Sequence, residues 1–240
     1  MDFHFAGIGT LINVAGIFFG GLVGVFGGKF LTEKFRVTLM DACALAVIFL
    51  GAGSTLSGLL KISGDTLNFQ NAMLLIASLL IGSAVGGILD IDGKVERFGI
   101  FLRERSGNDG DTKFVEAFVT ASLTVCIGAM AVIGAINDRL LHDPTILIAK
   151  SSLDMIIILV MAASLGKGCI FSCVSVGIFQ GAITFFAGFL EPFMTEIALA
   201  NLSTVGNVLI FAIGVNLLFP EKKIPVANFL PALIIACLWN

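Results

Sequence analysis

The chain consists of long apolar blocks separated by short segments that hold most of its charges. A helix of about 20 apolar residues crosses the roughly 30 Å hydrocarbon layer of a bilayer, and most of the blocks are about this long. Hydrophobic residues make up 57% of the chain and charged residues 13%, roughly half the charge of a soluble protein. Too few polar residues remain to cover a soluble core. The sequence therefore predicts an all-α, polytopic membrane protein.

Eight blocks are candidate transmembrane helices, and we predict that they form a single integral membrane domain over residues 1–240. The N-terminus lacks the basic segment of a signal peptide, so the first block is counted as a span. A Gly-Lys-Gly turn at Gly166–Gly168 separates the fifth block from the sixth, and the last block is short and contains Pro231. The predicted spans are Gly7–Gly28, Thr38–Leu60, Asn71–Ile91, Phe114–Ile136, Thr145–Leu165, Gly168–Leu190, Ile197–Phe219 and Ile224–Trp239.

The basic residues favour one side of this predicted bundle. The segments after the first, third, fifth and seventh spans share a side, and they hold 11 of the 14 basic residues. Cytoplasmic loops of membrane proteins carry such an excess of Lys and Arg. We therefore expect these loops in the cytoplasm and both termini outside. The residues are Lys29, Lys34, Arg36, Lys94, Arg97, Arg103, Arg105, Lys113, Lys167, Lys222 and Lys223.

The longest of these loops, residues 92–113, has an amphipathic pattern. Apolar residues recur at helical spacing among basic ones, at Val95, Phe98, Phe101 and Leu102. This pattern is typical of a helix that lies in the cytoplasmic interface and is attracted to anionic lipid. An ordinary solvated linker is the alternative.

Two parts of the chain resemble each other at an offset of 161 to 163 residues. The segment Ile17–Gly20 parallels Ile178–Gly181, and Thr32-Glu33 parallels Thr195-Glu196. The first copy begins outside and the second inside, as in the inverted repeats of many secondary transporters. We predict inverted units of helices 1–3 and 6–8, over residues 1–91 and 168–240. Chance similarity among common residues is the alternative.

Glycines recur at a spacing of four residues in three of the predicted spans. Small residues at this spacing let helix backbones approach closely. We therefore expect tight helix packing, either within the chain or in a homo-oligomer. The glycines are Gly16, Gly20, Gly24 and Gly28, then Gly82 and Gly86, then Gly177 and Gly181.

Asp154 is the outstanding ionisable residue, because a charge in the middle of a bilayer must be paired or neutralised. It lies about nine residues into the fifth span, near the membrane midplane. Lys150 precedes it at the i, i+4 spacing of a helical ion pair. One interpretation is a buried pair that fixes helix packing. The other is a cation or proton site at which Lys150 competes for the Asp154 carboxylate, giving two states.

Uncharged polar side chains in other spans are candidates to complete a polar cavity. Amides in hydrocarbon need hydrogen-bond partners and so should face the bundle interior. Simple hydrogen bonds between helices are the alternative. Gly51–Gly53, Gly128 and Gly206 are points at which a helix can unwind and offer carbonyl groups to an ion. The candidate lining residues are Asn13, Ser122, Gln180 and Asn207.

Several classes of function are excluded by the sequence. It contains no catalytic motif, so we expect no enzyme activity. His4 and His142 are isolated and the five cysteines show no metal-binding spacing, so we expect no metal site and no cofactor. The formal net charge of −3 does not favour binding to nucleic acid. The expected partners are the lipid bilayer and a small solute or a cation, H⁺ or Na⁺.

Five motifs resemble those of the YdfK/YqgA-like family of bacterial inner-membrane proteins, a domain of unknown function. The resemblance implies an all-helical protein of the bacterial cytoplasmic membrane. It marks Asn13, Ser122, Cys126, Lys150 and Asp154 as signature positions without giving them a role. The motifs are Gly7–Asn13, Phe118–Leu123, Cys126–Gly134, Lys150–Asp154 and Val226–Ala232.

Taken together, these features favour a secondary transporter of a small solute or ion. Asp154 and Lys150 are the predicted coupling pair, and the four candidate lining residues complete the path. A membrane scaffold or sensor that does not transport is the alternative, and an ion channel is a weaker one.

Overall fold

The computed structural model describes residues 6–63, 66–219, 221 and 223–239, so His4 and Lys222 lie outside the described residues. Helices form along the apolar blocks, because a helix satisfies its backbone hydrogen bonds within one segment. The helices are α1 (Ile8–Gly28), α2 (Glu33–Leu59), α3 (Ala72–Leu89), α4 (Ile91–Arg105), α5 (Phe114–Cys126), α6 (Ala129–Leu140), α7 (Thr145–Leu165), α8 (Ser172–Phe185), α9 (Ala187–Leu190), α10 (Glu196–Leu218) and α11 (Pro231–Leu238). Short 3₁₀ turns span Lys167–Phe171, Glu191–Phe193 and Val226–Phe229.

The predicted class, an all-α multi-pass membrane protein, is confirmed. Among the described residues, six helical segments are long and apolar enough to cross a membrane: α1, α2, α3, α7, Lys167–Phe185 and α10. Counting α5 and α6 as one bent span raises the number to seven. The predicted count of eight is unconfirmed. Helix α11 has eight residues, and at 1.5 Å per residue it is about 12 Å long, too short to cross the bilayer by itself.

The predicted fourth span, Phe114–Ile136, is not one straight helix. It is divided into α5 and α6, whose axes differ by 63°. The break falls at Ile127 and Gly128, and Gly128 has a φ of +147°, a conformation that residues with a Cβ rarely adopt. Gly128 is one of the three places where the sequence predicts unwinding. At the other two, Gly51–Gly53 and Gly206, helices α2 and α10 are continuous.

The described residues divide into two compact units. The first comprises the described parts of Met1–Cys43, Val95–Cys126 and Met130–Glu191, and the second those of Ala44–Lys94, Ile127–Ala129 and Pro192–Asn240. The predicted inverted repeat over residues 1–91 and 168–240 stays a prediction.

The first unit is centred on the contact between α1 and α7. A Cβ atom added at Gly20 or Gly24 would meet the backbone carbonyl of Met155 or Leu159, so only glycine allows this approach. The predicted role of the α1 glycines in close packing is therefore confirmed within the chain. The facing pairs are Gly16 with Ser151, Gly20 with Met155, Gly24 with Leu159, and Gly28 with Ala163.

In the second unit the glycines of α3 pack in the same way against the C-terminal segment. Gly82 lies against Ala232 of α11, and Gly86 against the backbone of Asn228 in the preceding 3₁₀ turn. The Asn228 side chain accepts a hydrogen bond from the backbone N–H of Asp92 at 2.9 Å. The third glycine pair differs, since the space around Gly181 is open.

Two elements adjoin α3 in the chain, a strand pair before it and a helix after it. Strands β1 (Leu60–Ser63) and β2 (Thr66–Phe69) form an antiparallel hairpin that the sequence analysis does not predict. After α3 in the chain, helix α4 covers the first part of the loop over residues 92–113. The Phe98 ring of α4 lies 5.8 Å from that of Phe118 in α5, so part of its apolar face packs on protein, whereas Phe101 is 49% exposed. Its position in the membrane interface stays a prediction.

Candidate functional site

Lys150 and Asp154 form a buried salt bridge in the first half of α7. Their side chains are only 8% and 7% exposed. The i, i+4 spacing places both on one face of the helix, and this face is turned toward the core of the first unit. The ion pair expected from the sequence is therefore present, and it is enclosed by protein.

Helix α1 supplies a second partner to the carboxylate. The Asn13 amide, which is fully buried, donates from Nδ2 to Asp154 Oδ2 at 3.0 Å. The approach is close because Gly16 faces Ser151, whose hydroxyl donates to the Ile12 carbonyl at 3.1 Å. The small residues that allow α1 and α7 to pack tightly thus also place Asn13 beside Asp154.

The end of α5 supplies a second partner to the ammonium. Lys150 Nζ donates to the backbone carbonyl of Val125 at 2.7 Å. The last carbonyls of a helix have no partner within it and carry the negative end of the helix dipole. The break at Gly128 ends α5 and therefore leaves a carbonyl that can accept from Lys150. The adjacent Cys126 thiol is close enough to interact electrostatically with both charges.

The other predicted lining residues have different surroundings. Ser122 pairs with the hydroxyl of Ser175 in α8 at 2.9 Å, rather than with the ion pair. Gln180 of α8 is fully buried, and neither its Oε1 nor its Nε2 has a hydrogen-bond partner in the described part of the protein. Asn207 belongs to the second unit, where its amide donates to Ser203 of its own helix. The structure thus brings Asn13, Lys150 and Asp154 together, and the part of Asn207 in a path stays a prediction.

Asp138, near the end of α6, is a buried carboxylate that the sequence analysis does not single out. It is 1% exposed, and its Oδ2 accepts the backbone N–H of Gly9 in the first turn of α1 at 2.9 Å. Gly7 precedes α1 and provides no side chain to cap it. The polar run Asn137–Arg139 after an apolar block is a sequence signal, but its partner is 129 residues away.

Replacing Asp138 with alanine is expected to lower the free energy of unfolding by about 1–3 kcal/mol, because buried N–H groups at the start of α1 lose their acceptor. Unfolding of the purified protein in mixed detergent micelles measures this change. Asp109→Ala, at an exposed loop carboxylate, is the matched control and should stay within about 0.5 kcal/mol of the wild type. A loss equally small for Asp138→Ala would show that the Gly9 contact does not support the fold.

The apolar helices and the enclosed ion pair define a multi-pass membrane protein. Comparison with known families identifies it further: the profile of a family described as "Protein of unknown function (DUF554)" matches residues 8–240, so the chain belongs to that family. This membership confirms the resemblance found in the motifs.

Two relatives cover nearly the whole chain. It is 28% identical over 233 residues to the uncharacterized protein YqgA of Escherichia coli (strain K12), covering 95% of this chain and 94% of the relative. It is also 28% identical over 227 residues to the uncharacterized membrane protein YdfK of Bacillus subtilis (strain 168), covering 95% and 93%. No solved structure matches the chain.

Proposed function

We propose that the protein is a secondary transporter of a small solute or ion in the bacterial cytoplasmic membrane. In this proposal Asp154 is the coupling carboxylate and Lys150 is the cation that competes for it. The observation that carries the proposal is the enclosed Lys150–Asp154 pair, to which α1 and the broken end of α5 each add one partner. Ionisable groups inside a membrane mark ion and substrate pathways more often than packing contacts.

The arrangement around Lys150 favours a switch over a static contact. Its ammonium has two acceptors, the Asp154 carboxylate and the Val125 carbonyl. When a proton or another cation neutralises Asp154, Lys150 keeps the carbonyl as a partner. The site therefore has two states with different charge on Asp154, and a ligand that prefers one state shifts the population.

The break between α5 and α6 supports the same proposal. Discontinuous helices in secondary transporters place the ends of half-helices, with their free carbonyl groups, at the ion or substrate site. Here the end of α5 reaches the charged pair itself, as the bond from Lys150 to Val125 shows. The interruption at Gly128 also removes backbone hydrogen bonds within the helix, which a bundle with a purely structural role would keep.

The orientation, the assembly and the absence of enzyme activity are parts of this proposal. The excess of basic residues favours a cytoplasmic location for the segments after α1, α3, α7 and α10, with both termini outside. An outer C-terminus requires the last apolar segment to cross, although α11 has only eight residues. The open glycine face of α8 at Gly181 is a candidate contact for a homo-oligomer.

Ligand-dependent stabilisation followed by uptake tests the transport proposal. The melting temperature of the wild type in lipid nanodiscs is measured with Li⁺, Na⁺ and K⁺, across pH, and with a panel of amino acids, carboxylates and sugars. A ligand at 100 times its Kd stabilises the folded state by about 2.7 kcal/mol. Proteoliposome uptake is then measured for each stabilising ligand, and we expect the wild type to transport at least one.

The two variants are Asp154→Asn and the matched control Ser152→Ala, which alters an exposed hydroxyl on the same helix. We expect stabilisation and uptake to persist in Ser152→Ala and to be lost in Asp154→Asn. If Asp154→Asn is stabilised by the ligand and takes it up as the wild type does, the carboxylate has no role in coupling. A wild type with no ligand response would favour a scaffold or sensor.

A further inference from the structure

Helices α1 and α8, which contact each other, carry four buried polar side chains that we call the polar file: Thr10, Asn13, Gln180 and Thr184. The Thr10 and Thr184 hydroxyls lie 3.5 Å apart. One turn farther along α1, Val14 lies 3.5 Å from the position of a Cβ added at Gly177 of α8. The two helices are therefore antiparallel at this contact. Gln180 comes three residues after Gly177 and four residues before Thr184, so all three lie on one face of α8. We therefore place Gln180 opposite the stretch of α1 between Thr10 and Val14.

The polar file contains hydrogen-bonding groups that protein does not satisfy. Asn13 donates to Asp154 through Nδ2, but its Oδ1 is buried without a partner in the described residues. The Nε2 and Oε1 atoms of Gln180 are also buried without a partner in the described residues, so a flip of the amide group would leave both atoms without a hydrogen bond. Such groups are costly to bury unless a bound molecule satisfies them.

The missing partner must both donate and accept hydrogen bonds. Gln180 presents N–H groups as well as an oxygen, and a metal cation would leave the N–H groups unsatisfied. Hard metal cations also require a shell of oxygen ligands, whereas the groups bound to Asp154 Oδ2 are the N–H donors of Lys150 and Asn13. Water fulfils both requirements, and it occupies polar sites in protein interiors where two to four groups can bind it.

We infer that the polar file holds water and carries protons to Asp154, so that the coupling ion is a proton rather than Na⁺. The coupling role rests on the proposed transport function. A hydronium ion at the far end of the file passes a proton along the water and becomes water, and the Asp154 carboxylate becomes a neutral carboxylic acid. Lys150 keeps its proton and its bond to the Val125 carbonyl.

The titratable groups around the file are few in the described structure. At the Asp154 end they are Lys150 on the same helix and the Cys126 thiol of α5. At the other end Asp138 binds the N–H of Gly9, next to Thr10, and His142 interacts electrostatically with Asp138. Helix α8 adds no charged residue, and its titratable group on the stripe of Gly177 and Gln180 is the Cys173 thiol, one turn before Gly177. Two carboxylates therefore adjoin the file, and Asp154 is the one that is hydrogen-bonded to a side chain of the file, through Asn13.

Infrared difference spectroscopy of the protein reconstituted in lipid tests the inference without any transport substrate. Lowering the pH should produce carbonyl bands of protonated carboxylic acids, and one component, that of Asp154, should be absent from the difference spectrum of Asp154→Asn. In ²H₂O the band shifts as the proton exchanges. Gln180→Leu should slow this exchange by at least about tenfold, because an apolar side chain interrupts the water.

Two further variants keep the test decisive. Thr184→Val interrupts the file at a second place and should also slow exchange, even where Gln180→Leu folds poorly. Ser78→Ala removes a buried hydroxyl of the second unit that has no partner among the described residues, and the Asp154 proton of this variant should exchange at the wild-type rate. Exchange that is unchanged in both file variants, or an acid-band spectrum that is the same in Asp154→Asn as in the wild type, would overturn the inference.

The outcomes separate this inference from the proposed function. An Asp154 band whose exchange depends on Gln180, in a protein that transports nothing, supports proton access and contradicts transport. Uptake driven by a Na⁺ gradient, with no acid band from Asp154, supports transport and overturns the proton inference.

Discussion

Replacing Lys150 with methionine is expected to lower the free energy of unfolding by about 3–5 kcal/mol, because Asp154 then stays buried without its countercharge. Asp154→Asn should also be costly, since it leaves the ammonium with only the Val125 carbonyl. The double variant Lys150→Met/Asp154→Asn removes both charges and keeps an amide acceptor for Asn13. We expect it to return to within about 1 kcal/mol of the wild type.

Unfolding in mixed detergent micelles measures the four members of this double-mutant cycle. Ser152→Ala serves as the control for a change on the exposed side of α7. Wild-type stability in Lys150→Met would mean that the Asp154 carboxylate reaches bulk water. A double variant as unstable as the sum of the two single variants would mean that the side chains do not interact.

Replacing Gly24 with alanine is expected to destabilise the first unit by about 1–3 kcal/mol, as overpacking does in a close-packed core. The added Cβ meets the backbone carbonyl of Leu159, which cannot rotate away as a flexible side chain would. Thermal unfolding in detergent and the yield of folded protein both report this loss.

Gly27→Ala, on the same helix, is the matched control. Among the described residues, no atom outside the adjacent turns of α1 lies within 4 Å of a Cβ at Gly27, so alanine should be tolerated there and can add up to about 1 kcal/mol through its higher helix propensity. Equal effects at Gly24 and Gly27 would show that α1 and α7 are not packed through the glycine face.

The sequence predicts the elements whose signal is local. Spans follow from the length of apolar blocks, and the Lys150–Asp154 pair follows from its spacing on one helix. The glycine faces of α1 and α3 pack closely, as their four-residue spacing predicts, because the spacing matches the helical repeat.

The remaining features depend on contacts that a local pattern does not contain. The glycine pattern indicates Gly128 as a point of unwinding, but it indicates Gly51–Gly53 and Gly206 equally, where the helices are continuous. Hydropathy does not separate these positions, because Ile127 and Gly128 lie within one apolar block. Strands β1 and β2 have four residues each, too few for a period to emerge. The contact of Asp138 with Gly9 joins segments 129 residues apart, and only folding reveals it.

The predicted repeat shows how similar segments can acquire different surroundings. Gly20 in the first copy packs against the backbone of Met155, whereas its counterpart Gly181 faces open space. Residue types alone do not distinguish these two environments. The duplication therefore remains a prediction from the sequence offset.

The most direct test of the central claim is uptake by the double variant Lys150→Met/Asp154→Asn, reconstituted beside the wild type and given the ligand found to stabilise the wild type. We expect this variant to keep the stability of the wild type, so that loss of folding would not explain a loss of transport. A coupling role for the pair predicts a folded protein with no uptake above empty vesicles. Uptake at the wild-type rate would show that the pair only packs α7 into the fold.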